Sequence, residues 1–148
     1  MCIRDRAYRH VEAASVADAV EQLLHQKTYL SHRMQPIFPT KFAGTALTVL
    51  LRKEENQDPH ALDGMLAAID SGAPGSVYVI KVEDGADIAG VGGLMGTAMA
   101  ARGFAGAIVD GGVRDLAQQL DNTEHSMYPI IERLHSILDA VKQTGRCV

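Results

Sequence analysis

The chain has no tryptophan, only 5% aromatic residues, and two cysteines, Cys2 and Cys147, one near each end. Two such thiols build neither a disulfide framework nor a metal knuckle, so both are expected to be free in a reducing compartment. Long apolar runs are also missing. None approaches the ~20 residues of a membrane span, and residues 1–6 are charged with no apolar segment behind them, which fits a cytoplasmic protein. Basic clusters are absent: 14 Lys and Arg are scattered among 18 Asp and Glu for a net charge of -4, so no footprint for direct nucleic-acid binding exists. The six histidines, His10, His25, His32, His60, His125 and His135, show no HxH or HExxH spacing and read as surface or capping residues. There is no nucleophile elbow and no Cys/His arrangement. Glu54-Glu55, the one paired carboxylate of note, lies in a charged surface connection where acid/base work is not expected.

What is present is an ordinary balance for one buried core: 47% hydrophobic and 22% charged over 148 residues. Residues 1–6 lack any amphipathic period, and residues 1–14 are expected to form an extension outside the domain proper, which spans 15–148. Ser15 offers an N-cap with Asp18 three residues on, followed by Val16, Ala19, Val20, Leu23 and Leu24 as the buried stripe of a first helix. Residues 42–51 read as a long strand whose threonines are cross-strand partners. Asp58-Pro59 reads as an N-cap with proline at the first helical position. Leu62, Met65, Leu66 and Ile69 mark the buried face of the second helix, which ends at Gly72 before an Ala73-Pro74-Gly75 turn. Beyond Asp115, residues 116–120 can continue a helix. From Pro129 onward, Ile130, Ile131, Leu134, Ile137, Leu138 and Val141 recur at helical steps, which predicts an amphipathic helix ending at Gly145.

The stretch 76–115 organises the rest. Val77-Tyr78-Val79-Ile80 with Val82 is strand-like, residues 94–102 favour a helix, Gly103 is a C′ glycine, and Ala107-Ile108-Val109 is a second strand. Strand, helix and strand in about forty residues make a βαβ unit. Its two glycine-rich turns, Gly90-Val91-Gly92-Gly93-Leu94-Met95 and Asp110-Gly111-Gly112-Val113-Arg114-Asp115, then lie beyond the strands' carboxyl ends, where open α/β sheets place ligands.

Three readings of the first turn stand side by side. Bare backbone N–H groups at a helix N-terminus can cradle a carboxylate or phosphate. A dinucleotide fingerprint would need glycine at position 95, which is Met95, although Asp110 ends the next strand as a ribose-binding acid would. The third reading is a plain turn that lets helix and strand pack closely. In the second turn, Arg114 presents a planar fork for a carboxylate and Asp115 an oxygen ligand for a hard cation; together they would grip a 2-oxo acid. The competing reading is a surface ion pair, with Asp115 favouring a helix's positive end. Both side chains serve one site only if the chain turns there, which Gly111-Gly112 permits. Met95 and Met99, at i and i+4, read as core packing.

Residues 87–115, with Phe42-Ala43-Gly44-Thr45-Ala46-Leu47-Thr48-Val49, the first helix and Gly75-Ser76-Val77-Tyr78-Val79, resemble the RraA-like family. That family includes regulators of ribonuclease E activity and 4-hydroxy-4-methyl-2-oxoglutarate aldolases that also decarboxylate oxaloacetate. The resemblance implies a compact α/β/β/α sandwich-like domain of the swivelling β/β/α type, assembled as a homotrimer or hexamer with sites near subunit contacts. It implies that the backbone of Gly92, Gly93, Leu94 and Met95 binds the substrate carboxylate. Arg114 would hold the pyruvyl moiety as the catalytic cation, and Asp115 would position Mg²⁺ or Mn²⁺. The activity implied is metal-dependent C–C cleavage of a 2-oxo acid to release pyruvate; the alternative is a non-catalytic regulator that binds ribonuclease E or another protein. Many of the aldolases carry an acid where Gly93 stands here. The family's later strands and Pro-Gly-Asp turn do not occur before Val148, so the C-terminal part is expected to be divergent or truncated.

Overall fold

A computed structural model describes residues 7–32, 34–37, 39–53, 59–83, 88–115 and 130–132. In chain order its elements are α1 (Ala13–Leu24), β1 (Gln35–Pro36), β2 (Ala46–Leu51), α2 (Ala61–Ser71), β3 (Val77–Val82), β4 (Ala89–Val91), α3 (Gly93–Ala101), β5 (Gly106–Asp110), β6 (Gly112–Val113) and β7 (Ile130–Glu132). Five strands form one sheet in the order β1-β7-β5-β3-β2; β4 and β6 form a separate parallel pair. Within the larger sheet β2, β3, β5 and β7 run parallel and only β1 is antiparallel, at the edge beside β7. The result is a mixed α/β fold built on parallel pairing. No helix among the described residues is long and apolar enough to cross a membrane.

The βαβ unit is where the sequence places it. β3 is buried along nearly its whole length and pairs in parallel with β5, Val77 opposite Gly106 and Lys81 opposite Asp110. Strands buried on both faces are what a parallel sheet requires, and the β-branched run supplies them. Alternate side chains separate the two faces. Tyr78, Ile80, Ala107 and Val109 join Met65 and Ile69 of α2, Met95 and Met99 of α3, Val91 and Phe104 in the main core. Val77, Val79 and Ile108 form the second, smaller cluster, with Leu30, Met34 and Phe42 packed against it. Met95 and Met99 are therefore core residues.

α3 ends in a Schellman arrangement. Gly103 takes φ 71, its N–H donates to the Ala100 carbonyl at 2.9 Å, and the Phe104 N–H donates to the Met99 carbonyl at 3.1 Å. The Ala73-Pro74-Gly75 turn forms as well: Gly75 has φ 87 and the Ser76 N–H donates to the Ala73 carbonyl at 3.0 Å. Gly72 ends α2 in extended backbone. Its value is space, because a Cβ there would stand 2.2 Å from the Phe104 ring.

Several expectations need correcting. α1 begins at Ala13 with Glu12 at the N-cap, so Ser15 lies inside the first turn. None of its residues is buried; Leu23 and Leu24 are 78% and 53% exposed, so the apolar stripe is not covered by the described residues. β2 begins only at Ala46. Residues 42–45 are held away from pairing by the close approach of Gly44 to the Gly75 backbone, and Thr48 faces Val79 rather than a threonine. α2 begins at Ala61 with His60 at the N-cap and Pro59 in the preceding turn; Asp58 lies outside the described residues, and Leu62 is exposed. Ala89–Val91, read as part of a turn, is a strand. Ile130–Glu132, read as the start of a helix, is a strand parallel to β5. The rest of that predicted helix, residues 116–120, and residues 54–57 lie outside the described residues.

Candidate functional site

The site is built where β4 runs into α3 and where β6 runs past it. Gly92 is the N-cap of α3, with φ -135 and ψ -177, and its carbonyl accepts the first helical bond from the Gly96 N–H at 3.0 Å. The amides of Gly93, Leu94 and Met95 lie in the first turn, where no carbonyl one turn back can receive them. Small residues suit this entry: a side chain at Gly90 would run into Val82, with its Cβ 2.9 Å from Cγ2.

The second glycine-rich turn is laid against the first by backbone bonds. β6 pairs in parallel with β4, Ala89 opposite Gly112 and Val91 opposite Val113, with an irregularity between them. The Gly112 N–H donates to the Ile88 carbonyl at 3.3 Å and the Arg114 N–H to the Val91 carbonyl at 2.9 Å. Gly111 and Gly112 permit this approach by their lack of side chains. A Cβ on Gly111 would sit 2.7 Å from Val82 Cγ2, and one on Gly112 3.0 Å from the Ile88 oxygen.

The turn that brings both functional side chains to one place is not made by the glycine pair. Asp115 itself adopts the left-handed conformation, φ 62, uncommon for a residue with a side chain and best tolerated by Asn and Asp. Neighbours in an extended strand point to opposite sides. With Asp115 turned, Arg114 and Asp115 both reach Gly92. A Cβ built on Gly92 would lie 3.4 Å from Asp115 Oδ2, 3.5 Å from Arg114 Nη2 and 3.6 Å from Arg114 Nε. The Gly93 N–H donates to Asp115 Oδ2 at 3.2 Å, and Arg114 Nε donates to the same oxygen at 3.3 Å. The Arg114 side chain is 75% exposed and that of Asp115 37% exposed, so the cluster opens to solvent.

Gly92, Gly93, Arg114 and Asp115 therefore come together, while the other two nominated residues diverge: Leu94 directs its side chain outward, 66% exposed, and Met95 directs its own into the core. Their backbone amides, not their side chains, belong to the site. As a cation site the arrangement is sparse. Among the described residues no three His, Cys, Asp or Glu side chains gather as ligands, so Asp115 offers a single hard carboxylate. That donor set suits Mg²⁺ or Mn²⁺, which are bound through one or two carboxylates with water and substrate oxygens filling the remaining positions. Asp110, the residue that might have read a ribose, is 8% exposed and lies 3.9 Å from Lys81 Nζ, its register neighbour on β3. This pair escaped the sequence reading, and only the register could have revealed it. His60 meets the exposed Asp63 carboxylate at 2.9 Å, and His25 occupies the left-handed cap of α1. His125, His135, Glu54, Glu55 and both cysteines lie outside the described residues.

Comparison with known proteins bears on this geometry. Three solved structures share the fold. A protein described among novel cellulases from gut-associated microbes aligns with a TM-score of 0.77 at 18% identity, over 91% of this chain and 61% of that one. An uncharacterized protein from Pseudomonas syringae pv. tomato aligns with a TM-score of 0.70 at 25% identity, over 88% of this chain and 55% of its own. Streptomyces coelicolor RraAS2, described as an unusual member of the RNase ES inhibitor RraA protein family, aligns with a TM-score of 0.67 at 21% identity, over 90% and 65%. The chain thus spans 55–65% of the length of these relatives. The RraA-like family model, described as Aldolase/RraA, matches residues 13–145. With β4, α3 and β6 bringing the two glycine-rich turns together inside that match, the chain belongs to the RraA-like family.

Proposed function

We propose that the protein is a divalent-metal-dependent lyase that cleaves a C–C bond in a small 2-oxo acid and releases pyruvate, of the 4-hydroxy-4-methyl-2-oxoglutarate aldolase and oxaloacetate decarboxylase type. The observation that carries this reading is the convergence beside Gly92 of a helix-terminal amide, a guanidinium and a carboxylate within 3.2–3.3 Å of one another. A scaffold needs no such set on an exposed turn, where an isolated ion pair contributes little to stability.

In this reading the first-turn amides of α3 receive the substrate carboxylate, at the positive end of the helix. Arg114, anchored through its N–H to the Val91 carbonyl, presents its guanidinium to the keto oxygen. Breaking the bond β to the ketone drives an electron pair toward that oxygen, and Arg114 stabilises the enolate charge as it develops. Retro-aldol cleavage and oxaloacetate decarboxylation share this pyruvate enolate, so one site serves both. A divalent cation at Asp115 would supply additional Lewis-acid stabilisation of that charge. Subunits of a homotrimer or hexamer would complete the surroundings, which the uncovered apolar stripe of α1 supports.

A second reading, a regulator that binds ribonuclease E or another protein, draws support from Gly93. No carboxylate stands there to act as a base, and Ile88 and Leu94 expose apolar surface close by. A coupled assay for pyruvate separates the two. The lyase reading predicts pyruvate from oxaloacetate or hydroxymethyl-oxoglutarate with Mg²⁺ or Mn²⁺ and none in EDTA. No release under any condition, with inhibition of a ribonuclease by the same preparation, selects the regulator.

A further inference from the structure

Asp115 has two assignments that cannot hold at the same moment. Its Oδ2 accepts from the Gly93 N–H at 3.2 Å and from Arg114 Nε at 3.3 Å, and these are the donors that the lyase reading gives to the substrate. The same carboxylate is the oxygen that would hold a cation. We propose that Asp115 is an internal latch: without a cation it occupies the anion seat on Gly93 and Arg114, and with one it swings off and hands those donors to the incoming carboxylate. This inference rests on the site being a seat for a 2-oxo acid.

The backbone is set for such a device. Left-handed φ at Asp115 is what folds the carboxylate back over the start of α3. The side chain is 37% exposed and belongs to neither core cluster, so rotating it disturbs no packing. Both contacts fall on one oxygen, and each is long for a charge-assisted hydrogen bond, so the latched state is held weakly. A bare substrate anion meets occupied donors and a like charge, whereas a cation removes both obstacles. Binding is thereby ordered, cation before anion. By linkage the anion must tighten cation binding by the same factor, about 5–150-fold for couplings of this kind.

The test uses the full chain, oxalate as a planar analogue of the enolate, and three proteins: wild type, Asp115→Gly, which keeps the left-handed backbone without strain, and Asp115→Asn, which keeps an acceptor oxygen without charge. Oxalate binding is measured by calorimetry in EDTA and in Mg²⁺, and the Gly93 amide resonance is followed by NMR. The latch predicts that in EDTA oxalate binds Asp115→Gly at least about fivefold tighter than wild type, with Asp115→Asn in between. It also predicts that Mg²⁺ alone shifts the wild-type Gly93 resonance toward its position in Asp115→Gly. Equal affinity of the Asn and Gly variants assigns the effect to charge alone and overturns the latch. So does a Gly93 resonance that Mg²⁺ leaves unmoved while oxalate still binds wild type in Mg²⁺, and in both cases the lyase reading stands. Oxalate that binds no protein in either condition removes the lyase reading and the latch together.

Discussion

Replacing Gly92 with alanine separates the integrity of the fold from occupancy of the site. The built Cβ meets Asp115 Oδ2 at 3.4 Å, Arg114 Nη2 at 3.5 Å and Arg114 Nε at 3.6 Å, all ordinary contact distances, and φ -135 suits alanine. No backbone has to move. The stability cost is that of exchanging glycine for alanine at an N-cap, about 1 kcal/mol or less. The methyl group nevertheless stands in the hollow between guanidinium and carboxylate where the keto acid would lie. A reactant displaced by ~1 Å loses on the order of 100-fold in rate. We expect urea unfolding to move by less than about 1 kcal/mol while kcat/KM for pyruvate release falls roughly 100-fold. Gly92→Ala that keeps wild-type kcat/KM would mean that nothing enters the space beside Gly92, and the placement of the substrate would be wrong.

The remaining expectations concern stability. Gly44→Ala should destabilise the fold by at least about 2 kcal/mol in urea titrations, because its Cβ would lie 2.0 Å from the Gly75 carbonyl oxygen, a backbone atom that can yield only by shifting the turn before β3. A loss below about 0.5 kcal/mol would contradict that contact. Tyr78→Phe should be neutral or stabilising at pH 7, since the Tyr78 hydroxyl is buried with no hydrogen-bond partner among the described residues. Burial also pushes the Tyr78 phenol up to about 12 from 10.0. The unfolded chain releases this proton near pH 10 and the native state only near 12, so stability from Tyr78 is complete below pH 10 and falls as pH rises through that window. The wild type should lose about 2–3 kcal/mol more than Tyr78→Phe between pH 10 and 12, measured as the difference between their denaturation curves. Parallel losses in the two proteins would refute the buried, unpaired phenol.

How much of this was legible depends on the length of each signal. The βαβ unit could be read because Val77-Tyr78-Val79-Ile80 has no helical period and Gly103 sits where a helix C-terminus needs positive φ. The meeting of the two glycine-rich turns was legible as a topological consequence of parallel strands. β4 and β6 were not, since strands of three and two residues containing glycine carry no periodicity. Ile130–Glu132 was misread because its isoleucines also fit the helical spacing that follows, and only pairing with β5 decides between the two. The bend at Asp115 left no mark beyond the residue type, for aspartate tolerates left-handed backbone without announcing it. Exposure of Leu23 and Leu24 on α1 lay beyond the sequence because amphipathicity states which face is apolar, not what covers it.

The most direct measurement is pyruvate release from oxaloacetate, titrated with Mg²⁺ and Mn²⁺, by wild type, Arg114→Ala and Asp115→Ala side by side. The account predicts metal-dependent release by wild type, at least about 100-fold lower kcat/KM for Arg114→Ala, and loss of the metal response in Asp115→Ala. Three indistinguishable titrations, or wild-type release that ignores the metal, would contradict it.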